Sequence, residues 1–292
     1  MATSTVCNTL FSALMAVSLS AAPAAFAADS SPVSASLSSQ ASLKQVLESE
    51  HRDASRHRDS YRHPAETLAF FDIQPHMSVV EIWPGNYGWY TEILAPYLRD
   101  NGKFYAAHFN ADSSAAFFRN ARNAFIGKMN SNPAQFGKVI TTTFNPPAYT
   151  DIAPTGTADR VLTFRNVHNW YMRGGGDERV LAAFQAFYKA LKPGGILGVV
   201  DHRLPANRSA KDQEASGYMH QDYVIQLAQK AGFVLEASSD INANSKDTTR
   251  HPRGVWTLPP SLRLGDEKRD HYLAIGESDR MTLKFRKPDA NQ

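Results

Sequence analysis

Three short stretches of this chain carry the side chains that could do chemistry. They are Arg165-Asn166-Val167-His168-Asn169, Asp201-His202-Arg203, and the turn from Glu81 to Trp89. A histidine titrates near neutral pH, so His168 is the first candidate for a general base and His202 the second, with Asn166 placed to orient a bound group. Each has a plainer reading. His168 and Asn166 would hydrogen-bond loop backbone and shape the turn, and His202 would pair with Asp201 at a strand end. Arg165 and Arg203 would bind an anionic acceptor or neutralise Asp201 and Glu81. The third stretch runs from the β-branched Val79-Val80 through Glu81-Ile82-Trp83-Pro84-Gly85-Asn86-Tyr87-Gly88 into an amphipathic helix, with Ile93, Leu94, Tyr97 and Leu98 on one face. Glycine lets backbone approach a ligand, and a helix N-terminus offers unpaired N–H groups.

For these stretches to meet, an alternation of strands and helices must bring their ends together. Strands are predicted over 79–83, 103–108, 138–144, 158–164 and 196–201, separated by helical patterns of ordinary size. The helix opened by Asp177 sets Val180, Leu181, Phe184, Phe187, Tyr188 and Leu191 at core spacing. Strand–helix–strand units of this kind predict an α/β fold with a doubly wound parallel sheet, whose ligand lies outside the carboxyl ends of the strands. A helix near 218–231 leads to strand 233–237, and the last strand, 281–286, follows with no convincing helix between the two. They are predicted as an antiparallel pair at one edge. The forty or so residues at 239–279, rich in Asn, Asp, Pro and Arg, read as a lid or as a surface insertion.

The amino terminus speaks to compartment. Residues 1–27 carry no charge, hold an apolar run at 10–17 and end Ala25-Phe26-Ala27. This predicts a signal peptide cut after Ala27 and a periplasmic or secreted protein. Residues 28–45, rich in Ser and Ala, read as a flexible linker, and 46–292 as one domain. Cys7 is the single cysteine, so the mature chain would have neither disulfides nor thiolate metal sites. A net charge of +3 gives no electrostatic footprint for nucleic acid. No second hydrophobic stretch is long enough for a membrane. The run 51–63 mixes Arg52, Arg56, Arg58 and Arg62 with Asp53 and Asp59, and reads as a solvated helix face or a helix lying across a ligand mouth.

Taken together the pattern resembles a class I S-adenosylmethionine-dependent methyltransferase over roughly residues 60–288. More narrowly it is similar to a group of predicted bacterial methyltransferases that often bear signal peptides. The matching phrases are Tyr61-Arg62-His63-Pro64, Glu81-Ile82-Trp83-Pro84-Gly85, Thr163-Phe164-Arg165-Asn166-Val167-His168-Asn169-Trp170 and Gly254-Val255-Trp256-Thr257-Leu258-Pro259-Pro260. The resemblance implies a seven-stranded, mostly parallel sheet with an antiparallel edge, S-adenosyl-L-methionine as cofactor and a small-molecule acceptor. It puts Glu81, Pro84, Gly85 and Gly88 against the methionine part of the cofactor. It also marks departures: Trp83 stands at the first glycine of the family's turn, and the acid that usually ends strand two and holds the ribose is replaced by His108 or supplied by Asp112 further on. Asn145 ends strand three where an acid often lies near adenine. Cofactor binding is therefore expected to be weaker or differently arranged than usual.

Two rivals stand beside a methyltransferase. One is an exported, non-catalytic ligand- or metal-binding protein on the same scaffold. The other reading, a metal held by some of His108, His168, His202, His220 and His251, lacks any recognised ligand spacing, so no metal site is expected.

Overall fold

A computed structural model describes Met1 and residues 42–289. The expected signal peptide beyond Met1, and the expected linker as far as residue 41, lie outside the described residues. The described chain begins with a helix at 42–47 whose Leu43 already packs into the core.

Strands form at Ser78–Ile82 (β1), Lys103–His108 (β2), Ile140–Thr143 (β3), Ala158–Phe164 (β4), Leu191–Leu204 (β5), Met219–His220 (β6), Val234–Ser239 (β7), Pro252–Val255 (β8) and Arg280–Arg286 (β9). The main sheet runs β3-β2-β1-β4-β5-β9-β7, with β6 alongside the end of β5. Pairing is parallel from β3 to β5, and β9 lies antiparallel between β5 and β7. The expected doubly wound sheet with an antiparallel edge is what the chain forms.

Alternation along each strand explains why both faces are covered. Val79 and Val200 face one apolar layer with Leu68, Phe71, Ile93 and Phe125. Val80, Ile82 and Val199 face the other with Trp170, Phe184 and Phe187. Central parallel strands bury both faces, so they read as apolar runs. The switch in order between β1 and β4 leaves a crevice at the carboxyl ends, where ligands of open α/β sheets lie.

Three departures from the sequence reading have physical causes. Strand β5 runs through Lys192-Pro193-Gly194-Gly195, read as a turn, because Leu191 already pairs with Ala158 across a bulge. The segment 239–279 contains β8 and a helix at Arg269–Ile275, and buries Asn242, Thr249, Thr257 and Leu258. The run 51–63 is no solvated face. It folds as short helical turns, Glu50–Arg52, Asp53–Arg56 and Asp59–Arg62, with Arg52 0% and Arg62 2% exposed. Asp59 takes Arg52 in a two-pronged ion pair, and both arginines lie over the Trp89 ring, at 5.3 and 4.6 Å from its centroid.

Candidate functional site

At the carboxyl ends of β4 and β5 three buried residues meet: His168, Asp201 and His202. Asp201 and His202 end β5's buried stretch, and His168 lies in the short helix Val167–Tyr171 just after β4. One Asp201 oxygen accepts from the backbone N–H of Val167 at 2.6 Å and of His168 at 3.3 Å. The other accepts from the His202 N–H at 2.7 Å and meets His168 Nδ1 at 2.9 Å. With Asp201 fixed as an acceptor, His168 must carry its proton on Nδ1, which leaves Nε2 as a lone pair. Two donors fall on each carboxylate oxygen, so Asp201 has no lone pair to spare for a cation. The trio therefore does not fit a metal ion. Of the histidines weighed for metal, His108, His220 and His251 lie outside this trio.

His202 does not pair through its ring with Asp201. Its Nδ1 meets Ser278 Oγ, and burial, followed by the charges of His168, Arg165, Arg280 and Arg62, pushes its pKa well down. The two imidazoles stand 5.0 Å apart, with the Trp256 ring 6.0 Å from His168 and the Tyr218 ring 6.0 Å from His202. Trp256 comes from the 239–279 segment, which thus walls the site. Asn166 has its amide turned inward, donating to Ile82 O at 2.8 Å and clipping β4 to β1. Arg203 neutralises neither Asp201 nor Glu81; it is held by Asp240 and Asp279.

The Gly-bearing turn is a different matter. Gly85 has φ +75 with open space where a Cβ would stand, and Pro84 beside it is half-buried. Gly88 has φ +56, and a Cβ there would meet Thr91 and Phe125 at 2.7–2.8 Å, so it serves packing. Glu81 turns away to accept from Thr91 Oγ1 at 2.6 Å. Burial pushes its pKa up to about 8, against the pull of Thr91 and Arg62. Between about pH 4.5 and 8 the folded chain holds a proton that the unfolded chain has released. Stability therefore falls as pH rises across that window and levels off above it, by at most about 5 kcal/mol. Glu81→Gln removes this titration. Its melting temperature relative to the parent is expected to be higher by several degrees at pH 8.5 than at pH 5, read by calorimetry at both pH values; an equal difference at both would refute it.

His108 is sealed. Its Nδ1 accepts from Phe109 N–H at 2.8 Å and its Nε2 donates to Gly85 O at 3.1 Å, so both nitrogens hold backbone. Burial pushes its pKa down to about 4, against the hydrogen bond to Gly85. Trp83, at φ +46, donates its indole N–H to Phe144 O at 2.8 Å. The ring lies among Phe109, Phe118, Phe144 and Trp170, at centroid distances of 4.7 to 6.3 Å. Asn145 is exposed and bridges Tyr149 through its backbone, away from the trio.

Sequence reasoning missed a second cluster. Glu277 is 3% exposed and takes Arg58 at 2.7 Å, Arg62 at 3.2 Å and Arg280 at 3.1 Å. Four guanidinium charges, Arg62, Arg280, Arg165 and Arg58, outweigh the burial that alone would raise its pKa, and hold it well below the carboxylate range. Of its arginines, Arg62 and Arg165 lay in phrases that could have marked it, Arg165 as a candidate for an anionic acceptor.

No family model matches this chain, and no curated protein does. Solved structures do. A SAM dependent methyltransferase from Aquifex aeolicus superposes over 85% of this chain and 98% of its own, with a TM-score of 0.52 at 13% identity. The [4+2]-cyclase SpnF superposes over 88% of this chain and 96% of its own, with a TM-score of 0.53 at 14% identity. The fold is that of the class I methyltransferases. Identity this low carries the fold and nothing finer, and one of these two neighbours bears the name of a cyclase.

On that fold the nucleoside of S-adenosylmethionine would lie at the ends of β1, β2 and β3. As the side chains stand they do not fit it. The Trp83 ring packs among Phe109, Phe118, Phe144 and Trp170 at that end of the sheet, and His108, with both nitrogens on backbone, offers nothing to ribose hydroxyls. Gly85 alone keeps the openness that the methionine end would need.

Proposed function

We propose that this chain is an enzyme on a methyltransferase scaffold that moves a proton on a small-molecule acceptor, with His168 as the base. The observation that carries this is the 2.9 Å contact between His168 Nδ1 and Asp201, with Asp201 itself locked by backbone donors. A base needs its lone pair aimed outward and its other nitrogen held. Asp201 does the holding, and Nε2 remains for the acceptor's proton. His202, kept neutral by its surroundings, orients the acceptor rather than repelling the imidazolium that forms.

Methyl transfer is the reaction class that the fold suggests, against side chains at the ends of β1 and β2 that do not fit its donor as they stand. In it the enzyme aligns an acceptor for in-line displacement and, where needed, takes one proton from it. S-adenosyl-L-methionine, the donor the fold implies, supplies an electrophilic methyl group when bound. A second reading, an exported binding protein that has left methyl transfer behind, is supported by Trp83 and His108, whose ring nitrogens are all spent on backbone.

Calorimetric titration with S-adenosylmethionine and S-adenosylhomocysteine separates the two. If the donor enters only when the Trp83 ring moves out, the cost of that movement comes out of the affinity. Weak, saturable binding is expected for the parent chain and at least roughly tenfold tighter binding for Trp83→Gly, a gain of about 1.4 kcal/mol. Absence of binding to both at millimolar cofactor would sink methyl transfer and leave the second reading.

A further inference from the structure

Near His202 four guanidinium groups gather around one carboxylate that touches three of them. Arg58, Arg62 and Arg280 share the single carboxylate of Glu277, and Arg165 lies within electrostatic reach of the same group. The other acids nearby are engaged elsewhere. Asp279 is taken by Arg203, Asp201 by His168, and Asp247 by His251 and Tyr218. Glu81, buried, holds its proton up to about pH 8. Two of the arginines have donors left over. Arg62, 2% exposed, keeps Nη2 buried with no hydrogen-bond partner. The Arg165 guanidinium, half-buried, has neither hydrogen bond nor ion pair among the described residues. Its backbone is also unusual. At φ +62, in the left-handed region, it is pinned by a 2.7 Å bond from its N–H to Val200 O, which sends the chain from β4 into the His168 helix.

A buried guanidinium N–H without an acceptor is costly, and an anion is the ligand that would supply one. Planar guanidinium forks match carboxylate and phosphate oxygens two at a time. A cavity of about 150 Å³, lined by Tyr61, His63, Asn244, Lys246, Ser278 and Arg280, adjoins the cluster and reaches the serine that holds His202. An engineered cavity of about that volume admits a molecule the size of benzene. Arg280 and Ser278 thus link this space to the arginine cluster and to His202.

We propose that Arg165, with Arg62 and Arg280, forms an oxyanion site that seats the carboxylate or phosphate group of the acceptor beside His202 and His168. The inference rests on the reading of His168 as the base and names the class of molecule it acts on: a small organic anion. Neighbouring Trp256, half-buried beside His168, gives the body of that molecule an aromatic wall.

The test is titration of the full chain with inorganic phosphate and with acetate, at constant ionic strength set by chloride, followed by calorimetry and by thermal shift. Saturable binding of at least one, raising the melting temperature with concentration, is expected. Arg165→Ala should weaken it roughly tenfold to a hundredfold, the weight of hydrogen bonds to a charged group. Arg165→Lys should keep part of it, since charge survives and the fork does not. Tighter binding of phosphate than acetate assigns the acceptor a phosphate, and the reverse a carboxylate. Since Arg165 has no partner to lose, Arg165→Ala should melt no lower than the parent. Binding of neither ion, or unchanged binding in Arg165→Ala, overturns the proposal, and so does an Arg165→Ala variant that melts well below the parent. His168→Ala keeps the failures apart: anion binding that persists there upholds the oxyanion site whatever becomes of the base, and turnover that persists there removes the base alone.

Discussion

Glu277→Gln is expected to cost roughly 3–5 kcal/mol, the range for breaking a buried ion pair from one side. The reason is arithmetic of charge. Glu277 is 3% exposed and its two oxygens serve Arg58, Arg62 and Arg280 at 2.7 to 3.2 Å. A glutamine of the same shape keeps one acceptor oxygen and brings an NH₂ against guanidinium N–H groups, while every positive charge stays buried. For a domain of this size that loss lowers the melting temperature by about 10 °C or more, against a total stability of about 5–15 kcal/mol. Sign with pH follows from the same geometry. Arg62, Arg280, Arg165 and Arg58 hold the Glu277 pKa well below the ordinary carboxylate range, so the folded chain keeps the charge after the unfolded chain has gained a proton. The stabilisation is fully present above the unfolded carboxylate pKa and is lost as pH falls toward the folded one. Thermal melts of the parent and Glu277→Gln should therefore differ most near neutral pH and converge as the solution is acidified. A constant difference down to pH 3 would show that the glutamine acts through packing instead of charge.

What the sequence could and could not reveal follows from how far apart the partners lie. The strands were legible because their signal is local. Val79-Val80 and Ile196 to Val200 are apolar runs of strand length bounded by turn residues, and burial on both sheet faces demands that composition. The closeness of His168 and His202 was legible too, since both follow strand ends that a doubly wound sheet brings together. The pairing inside the site was not. Asp201 could join either histidine, and only the backbone of residues 167 and 168, folded back over its carboxylate, selects His168. The arginine cluster left no local trace: Arg62 and Glu277 are 215 residues apart, and a run of arginines ordinarily means a solvated face. Trp83 was visible as a departure, but the direction of its ring depends on Phe109, Phe118 and Phe144, which come from other turns of the chain.

Asp201→Asn is the second change expected to have a large effect, and it acts through a proton's address. One Asp201 oxygen accepts two backbone N–H groups and the other accepts one backbone N–H and His168 Nδ1. An asparagine has one oxygen, which best serves the Val167 and His168 N–H groups together. Its NH₂ then faces His168 Nδ1, which must turn from donor to acceptor. The ring proton moves to Nε2, and the lone pair that would take the acceptor's proton is gone. The matching exchange in a Ser-His-Asp triad lowers kcat about 10⁴-fold by the same change of tautomer. A fall of that order is expected here in any turnover that depends on His168. The exchange also leaves the His202 N–H opposite an NH₂, at a cost of about 1–3 kcal/mol, so the variant should fold with a lower melting temperature. Ring ¹⁵N shifts decide the matter independently of any substrate. His168 should read as the Nδ1–H tautomer in the parent and the Nε2–H tautomer in Asp201→Asn. An unchanged tautomer in a folded variant would mean that Asp201 holds the loop and leaves the histidine's proton to other neighbours, and the base assignment would fall with it.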